Sequence, residues 1–152
     1  MNVQIKMPQK LSPVFADAAK RLRPELMLGA LEGLALVQKR ATANISSKFR
    51  ARTGRALRSV MIDRPKMTGK KIIGAVGILK SSGKAFYMRF HETGAIIRPK
   101  KKKYLIIPQP DGTVRKVRQA ILPKRAWLAP AVDKSIKDIK EILVEKINRA
   151  FR

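Results

Sequence analysis

Cysteine is absent from the 152 residues, histidine occurs once, and aromatic residues make up only 5%. Without thiols there is no disulfide scaffold, no thiolate metal site and no cysteine nucleophile. The lone histidine, in His91-Glu92, falls short of the three or four protein ligands that zinc requires. So few rings leave the core to Leu, Ile, Val, Met and Ala. They also leave the basic residues without the interleaved aromatics that base-stacking platforms use. Acids are scarce as well, ten against 35 Lys and Arg, for a net charge of +25. Only Asp63 and Glu92 stand between Gly33 and Pro110, and four acids fall near the C-terminus. Clustered carboxylates for a two-metal nuclease, or a glycosidase pair, therefore have no candidate. D-x-D, H-E-x-x-H and G-x-S-x-G do not occur, and no catalytic residue, cofactor site or metal site is expected. No apolar run approaches the roughly 20 residues that span a bilayer. The opening residues carry no signal-peptide core, so no membrane role is expected.

What is present points to one folded domain. Hydrophobic residues make up 45%, against global disorder, and the length fits a single core. Residues 1–11, which include Pro8, read as a loose arm. Ser12-Pro13 is a helix-start signal, and a short helix to about Leu22 should end before Pro24. Over 24–48 the pattern is helical, with Ala30, Leu31, Leu34, Val37, Ala41 and Ile45 on one apolar stripe. Gly29 and Gly33 within it suggest close approach of another backbone, or ordinary packing on a sheet. Residues 60–118 read as the sheet region. It opens with a hairpin at 60–79 whose Gly74 and Gly77 suggest a bulge or close contact. Residues 81–84, Ser-Ser-Gly-Lys, lack the spacing of a phosphate loop and read as a turn. Ala85–Phe90 should be a third strand. Pro110-Asp111-Gly112-Thr113 should turn into a strand with a basic outer face. The last helix, 129–149, carries Leu128, Val132, Ile136, Ile139, Leu143 and Ile147 on one face. The fold class expected is α+β, a small antiparallel sheet packed by a long N-terminal helix and a C-terminal helix.

The charge concentrates in the middle of the chain. Arg50, Arg52, Arg55 and Arg58 have no acid between them, and Lys100, Lys101, Lys102 and Lys103 are consecutive. Arginine forks and lysine clusters suit phosphate, although a solvated face explains the first group equally well. If double-stranded DNA is touched, it is through phosphates and without sequence preference. Glu92 reads as a structural anchor, with an arginine of 50–58 as a candidate ion-pair partner. Trp127 reads as an apolar plug for the last helix or as an interface residue.

Three motifs recur in a telling order. They are Thr53-Gly54 with Leu57 and Ser59; Tyr87, Glu92 and Gly94; and Arg125, Trp127, Leu128, Pro130 and Ala131. With the flanking helices, about residues 25–150, this arrangement resembles the tail-component family of long-tailed double-stranded DNA bacteriophages. That family is assigned to tail completion or the head–tail neck. The chain departs from the family pattern by one extra residue before Leu57, by Ala126 for the commoner Pro, and by Trp127 for the commoner Phe. The resemblance implies a non-enzymatic virion protein at the top of the tail, made in the host cytoplasm. It implies a homo-oligomeric ring, sixfold by preference, around the DNA path and against neighbouring head-completion and tail proteins. The arginines and lysines above are then candidates for the DNA-facing lumen, and Thr53, Gly54, Tyr87, Glu92, Gly94, Arg125, Trp127, Leu128 and Pro130 for assembly and docking. The composition alone also suits a non-specific nucleic-acid-binding protein acting through phosphates.

Overall fold

The computed structural model describes residues 13–49, 54–69, 71–78, 85–100, 103–109 and 111–151. The arm at 1–11 and the turn at 81–84 lie outside them. The first helix, α1, runs from Pro13 to Lys48 without a break at Pro24. Proline in a helix costs a hydrogen bond and some steric strain, but the length of a helix is decided mainly by packing. The first fully buried residue among those whose burial is described, Leu26, lies just beyond that proline. From there Gly29, Gly33, Val37, Ala41 and Ile45 are buried at helical spacing. The expected stripe is therefore rotated toward the two glycines. Leu31 is exposed, while Ala30 and Leu34 are half-buried.

The glycines admit the last helix, α4 (Ala129–Ala150), rather than a sheet. A Cβ on Gly29 would lie 3.0 Å from Lys146 Cγ, and one on Gly33 would lie 3.1 Å from Ile139 Cγ1. The pairing is antiparallel: Glu32 holds Lys146 at 2.7 Å, and Arg40 holds Asp138 at 2.5 Å. Arg40 also donates to the Lys134 carbonyl and to Ser135 Oγ. Lys146 is buried, so its ammonium depends on the Glu32 carboxylate for compensation.

A short helix, α2 (Arg55–Arg58), follows Gly54, whose φ of 62° is the left-handed conformation glycine allows. The expected hairpin is β1 (Val60–Thr68) against β2 (Lys71–Ile78). Its register slips between Asp63↔Ala75 and Lys66↔Ile73, so Arg64 and Pro65 oppose the single Gly74, as a bulge requires. A side chain at Gly74 would make Leu34 of α1 shift, since a Cβ would lie 2.6 Å from its Cδ1.

Ala85–Phe90 is not a strand. A turn at 85–87 leads into a helix, α3 (Met88–Thr93). Ala85 and Met88 are both buried, three residues apart, a spacing that a strand would place on opposite faces. After α3, β3 (Ala95–Ile97) pairs with β6 (Ala120–Leu122), and β4 (Leu105–Pro108) pairs with β5 (Val114–Val117). The sheet is thus three two-stranded antiparallel ribbons, and it extends past residue 118. The turn before β5 is held by Asp111, which accepts from the Thr113 N–H and hydroxyl. The α+β class stands, and the core joins both helices to the hairpin through Ala41, Ile45, Val60, Ala85, Met88, Trp127 and Ala131.

The α1–α4 contact can be tested at Gly33. Alanine there gains about 1 kcal/mol of helix propensity against a tight but single contact with Ile139. Gly33→Ala is therefore expected near neutral in urea denaturation, whereas Gly33→Leu should lose about 1–3 kcal/mol through overpacking.

Candidate functional site

The residues of the second and third motifs, far apart in sequence, meet at the start of α4. The first four N–H groups of any helix lack partners within it. Here α4 has no side-chain cap of its own, because its cap position is Leu128 and Pro130 follows in the first turn. Glu92, near the end of α3, supplies the acceptor. Its Oε2 accepts from the N–H of Trp127 at 2.7 Å and of Leu128 at 2.9 Å, and Oε1 accepts from Ala129 at 2.9 Å. A carboxylate is well placed there, facing the positive end of the helix dipole. Burial alone would raise its pKa. The N–H groups of Leu128, Ala129 and Trp127, together with the Lys48 charge, outweigh that and hold the carboxyl below its usual range. Glu92 is thus an anchor as expected. Its partners among the described residues are backbone groups, and the nearby charge is Lys48 of α1; Arg50 and Arg52 lie outside the described residues.

Trp127 completes the joint. It is buried, and its indole N–H donates to the Met88 carbonyl at 3.2 Å. Its own carbonyl accepts from Asn44 Nδ2 at 2.8 Å, and Lys48 Nζ donates to the Ala126 carbonyl. The Arg125 N–H donates to the His91 carbonyl at 2.7 Å. The segment 125–129 is therefore tied both to α3 and to the end of α1. Gly94 ends α3 at φ 78°, where a Cβ would crowd the Leu122 carbonyl oxygen and the Lys124 nitrogen. Tyr87 remains exposed and meets His91 edge-on, with Phe49 on that imidazole too. Asn44 and Lys48 were not singled out in the sequence, where two polar residues in a long helix carry no signal of a partner 80 residues away.

The basic candidates sit on other elements. Arg55 and Arg58 are exposed on α2, and Lys100 and Lys103 are exposed between β3 and β4. Arg115 and Lys116 of β5 extend the basic surface. Thr53, Arg50, Arg52, Lys101 and Lys102 lie outside the described residues. The acids do little to offset this charge. Glu32, Asp138, Glu141 and Glu145 pair with Lys146, Arg40, Lys137 and Arg149, all within α1 and α4. Among the described residues no cluster of three His, Cys, Asp or Glu could hold a metal ion, and no helix is long and apolar enough to cross a membrane.

One concave feature stands apart from the charge. A partly open groove of about 370 Å³ runs between α1, α4 and β2. It is lined by Leu34 and Val37 of α1, by Gly74, Ala75 and Val76 of β2, and by Leu128, Val132, Ile136, Ile139, Lys140 and Leu143. Its wall is almost wholly apolar, with no nucleophile or acid among the lining residues.

Glu92→Ala should cost about 2–3 kcal/mol in denaturant unfolding, the scale of hydrogen bonds to a charged acceptor. Glu92→Gln should cost less, because an amide oxygen still accepts. The folded carboxyl titrates below its ordinary value of 4.5. Its contribution is therefore complete above that pH and fades as pH falls through the lower folded value. The stability gap between the wild type and Glu92→Gln should be constant at neutral pH and narrow in acid. Comparison of the chain with protein-family models, with curated proteins and with solved structures gives no match.

Proposed function

We propose that this protein is a non-enzymatic virion component of a long-tailed bacteriophage. It works at the head–tail joint or tail top, as a ring of identical subunits around the DNA path. What supports the reading is the Glu92 joint. The residues of the second and third motifs that carry the resemblance form one structural unit, in which Glu92, Gly94, Arg125, Trp127, Leu128 and Pro130 each position the start of α4. The chemistry of that unit is architectural: its carboxylate is committed to backbone N–H groups. The basic middle of the chain, with Asp63, Glu92 and Asp111 as its only acids between Arg50 and Arg125, suits a lumen that passes a polyanion. Neutralising phosphates there is non-specific and salt-dependent.

The charge of +25 also favours a second reading, a non-specific nucleic-acid-binding protein. The two part in solution. The second requires tight, steeply salt-dependent binding of free DNA or RNA by the isolated chain, whereas a ring component binds weakly until assembled.

Electron microscopy of lysates from a phage with a stop codon in this gene tests the first reading. Full heads beside detached tails, or tails of abnormal length, are expected; intact normal virions would refute it. Replacing Lys100, Lys101, Lys102 and Lys103 by Gln should reduce DNA retention in assembled particles. Unchanged retention would remove these lysines from the DNA path.

A further inference from the structure

The strongest apolar face of α4 is not the one it buries most deeply. Leu128, Val132, Ile136, Ile139 and Leu143 are each half-buried, whereas the fully buried residues of the helix are Ala131, Ser135, Lys146 and Ala150. An amphipathic helix normally turns its apolar stripe to the core. Here part of the stripe packs on Gly29 and Gly33 through Leu143 and Ile139, yet the stripe also lines the groove together with β2. Gly74, Ala75 and Val76 are consecutive, and side chains of a strand alternate between faces. The groove therefore meets β2 along its edge. Among the described residues β2 pairs only with β1, so that outer edge carries backbone groups without a strand partner.

We infer that residues 3–7 of a neighbouring copy of this chain fill the groove, as a strand added to the open edge of β2. The N-terminal segment Asn2-Val3-Gln4-Ile5-Lys6-Met7 alternates polar and apolar residues up to Pro8. That period places Val3, Ile5 and Met7 on one face, matched to an apolar wall, and Asn2, Gln4 and Lys6 on the other. Lys6 is the sole charge in residues 3–7, so contact here brings few of the like charges of two copies together.

Reach decides between a copy's own groove and its neighbour's. Gly74 lies against Leu34, which is 21 residues beyond Pro13 in α1. At 1.5 Å per residue that is about 32 Å along the helix. Ile5, the centre of the segment, is eight residues before Pro13 and spans at most about 29 Å fully extended. Met7 spans about 20–22 Å, short of Gly29, where α1 meets Leu143 at the near end of the groove. Val3 alone of the apolar three reaches Leu34 in its own chain, at about 33–36 Å fully extended, so a strand centred on Gly74 with Ile5 must come from an adjacent copy. Giving one strand and accepting another is a head-to-tail contact, which closes into a ring when the rotation allows. Closure rests on the ring reading above; the strand exchange does not.

The absence of native cysteine makes the test direct. Full-length Ile5→Cys and Ile136→Cys chains are mixed under mild oxidation and run without reductant. A disulfide-linked pair is expected, at least tenfold above that formed by Ile5→Cys with Lys116→Cys on β5. Ala75→Cys, at an exposed position of the β2 edge, repeats the test without disturbing the apolar wall. Cross-linking no stronger than the Lys116→Cys control would overturn the proposal. So would a closed monomer from the double variant Ile5→Cys/Ile136→Cys at high dilution, since that puts the segment in its own groove. Native mass spectrometry of the oxidised mixture separates the two readings. Open chains or dimers leave the exchange standing and count against the ring; rings without the cross-link do the reverse.

Discussion

The start of α4 depends on a charge that comes from elsewhere in the chain. Its N–H groups at 127–129 face a carboxylate on α3, and no side chain of the 125–130 segment caps them. Three donors converging on one anion fix both its distance and its direction. With Glu92 in place, the Trp127 indole enters the core beside Met88, and its carbonyl is left facing Asn44. Lys48 adds a positive charge that favours the ionised carboxylate and also donates to the Ala126 carbonyl. One carboxylate thereby links α3, the approach to α4 and the end of α1. The antiparallel packing of α1 and α4 starts from that point.

The same constraint separates what was legible in the sequence from what was not. The α+β class, the bulged hairpin with its glycine, and both long helices follow from local pattern, since periodicity and turn residues are local signals. Glu92 stood out as an anchor because acids are so rare around it. Its partners did not, because N–H groups leave no mark in a sequence: any residue but proline carries one. Ala85–Phe90 reads as a strand because Phe86, Tyr87 and Phe90 favour strands. The structure chose a helix there because it brings Ala85 and Met88 onto one buried side and carries Glu92 to α4. Likewise Pro24 signals a break that α1 does not make, since among the residues whose burial is described the fully buried ones begin at Leu26 and run on from it.

Charge is segregated along the same lines. In α1 and α4, Glu32, Asp138, Glu141 and Glu145 are spent on neighbouring cations, including the buried Lys146. The α1–α4 pair thus carries only a small part of the net charge of +25. The lysines and arginines of α2, β5 and the β3–β4 connection have no comparable supply. Fold stability and net charge thus rest on different parts of the chain. A lumen or a phosphate surface can carry strong positive charge without straining the helix pair that holds the domain together.

The groove follows from how that pair is packed. Gly29 and Gly33 let α4 approach until Ile139, Leu143 and Lys146 touch the α1 backbone region directly. Away from the glycines, α4 buries the small Ala131, Ser135 and Ala150 most completely. The larger Val132 and Ile136 lie on the flank, where the bulge at Gly74 keeps β2 near Leu34 and, among the described residues, no further strand covers them. Had Gly33 been a leucine, the helices would stand farther apart. The glycines therefore tighten the helix pair beside an apolar flank of α4 that stays half-buried.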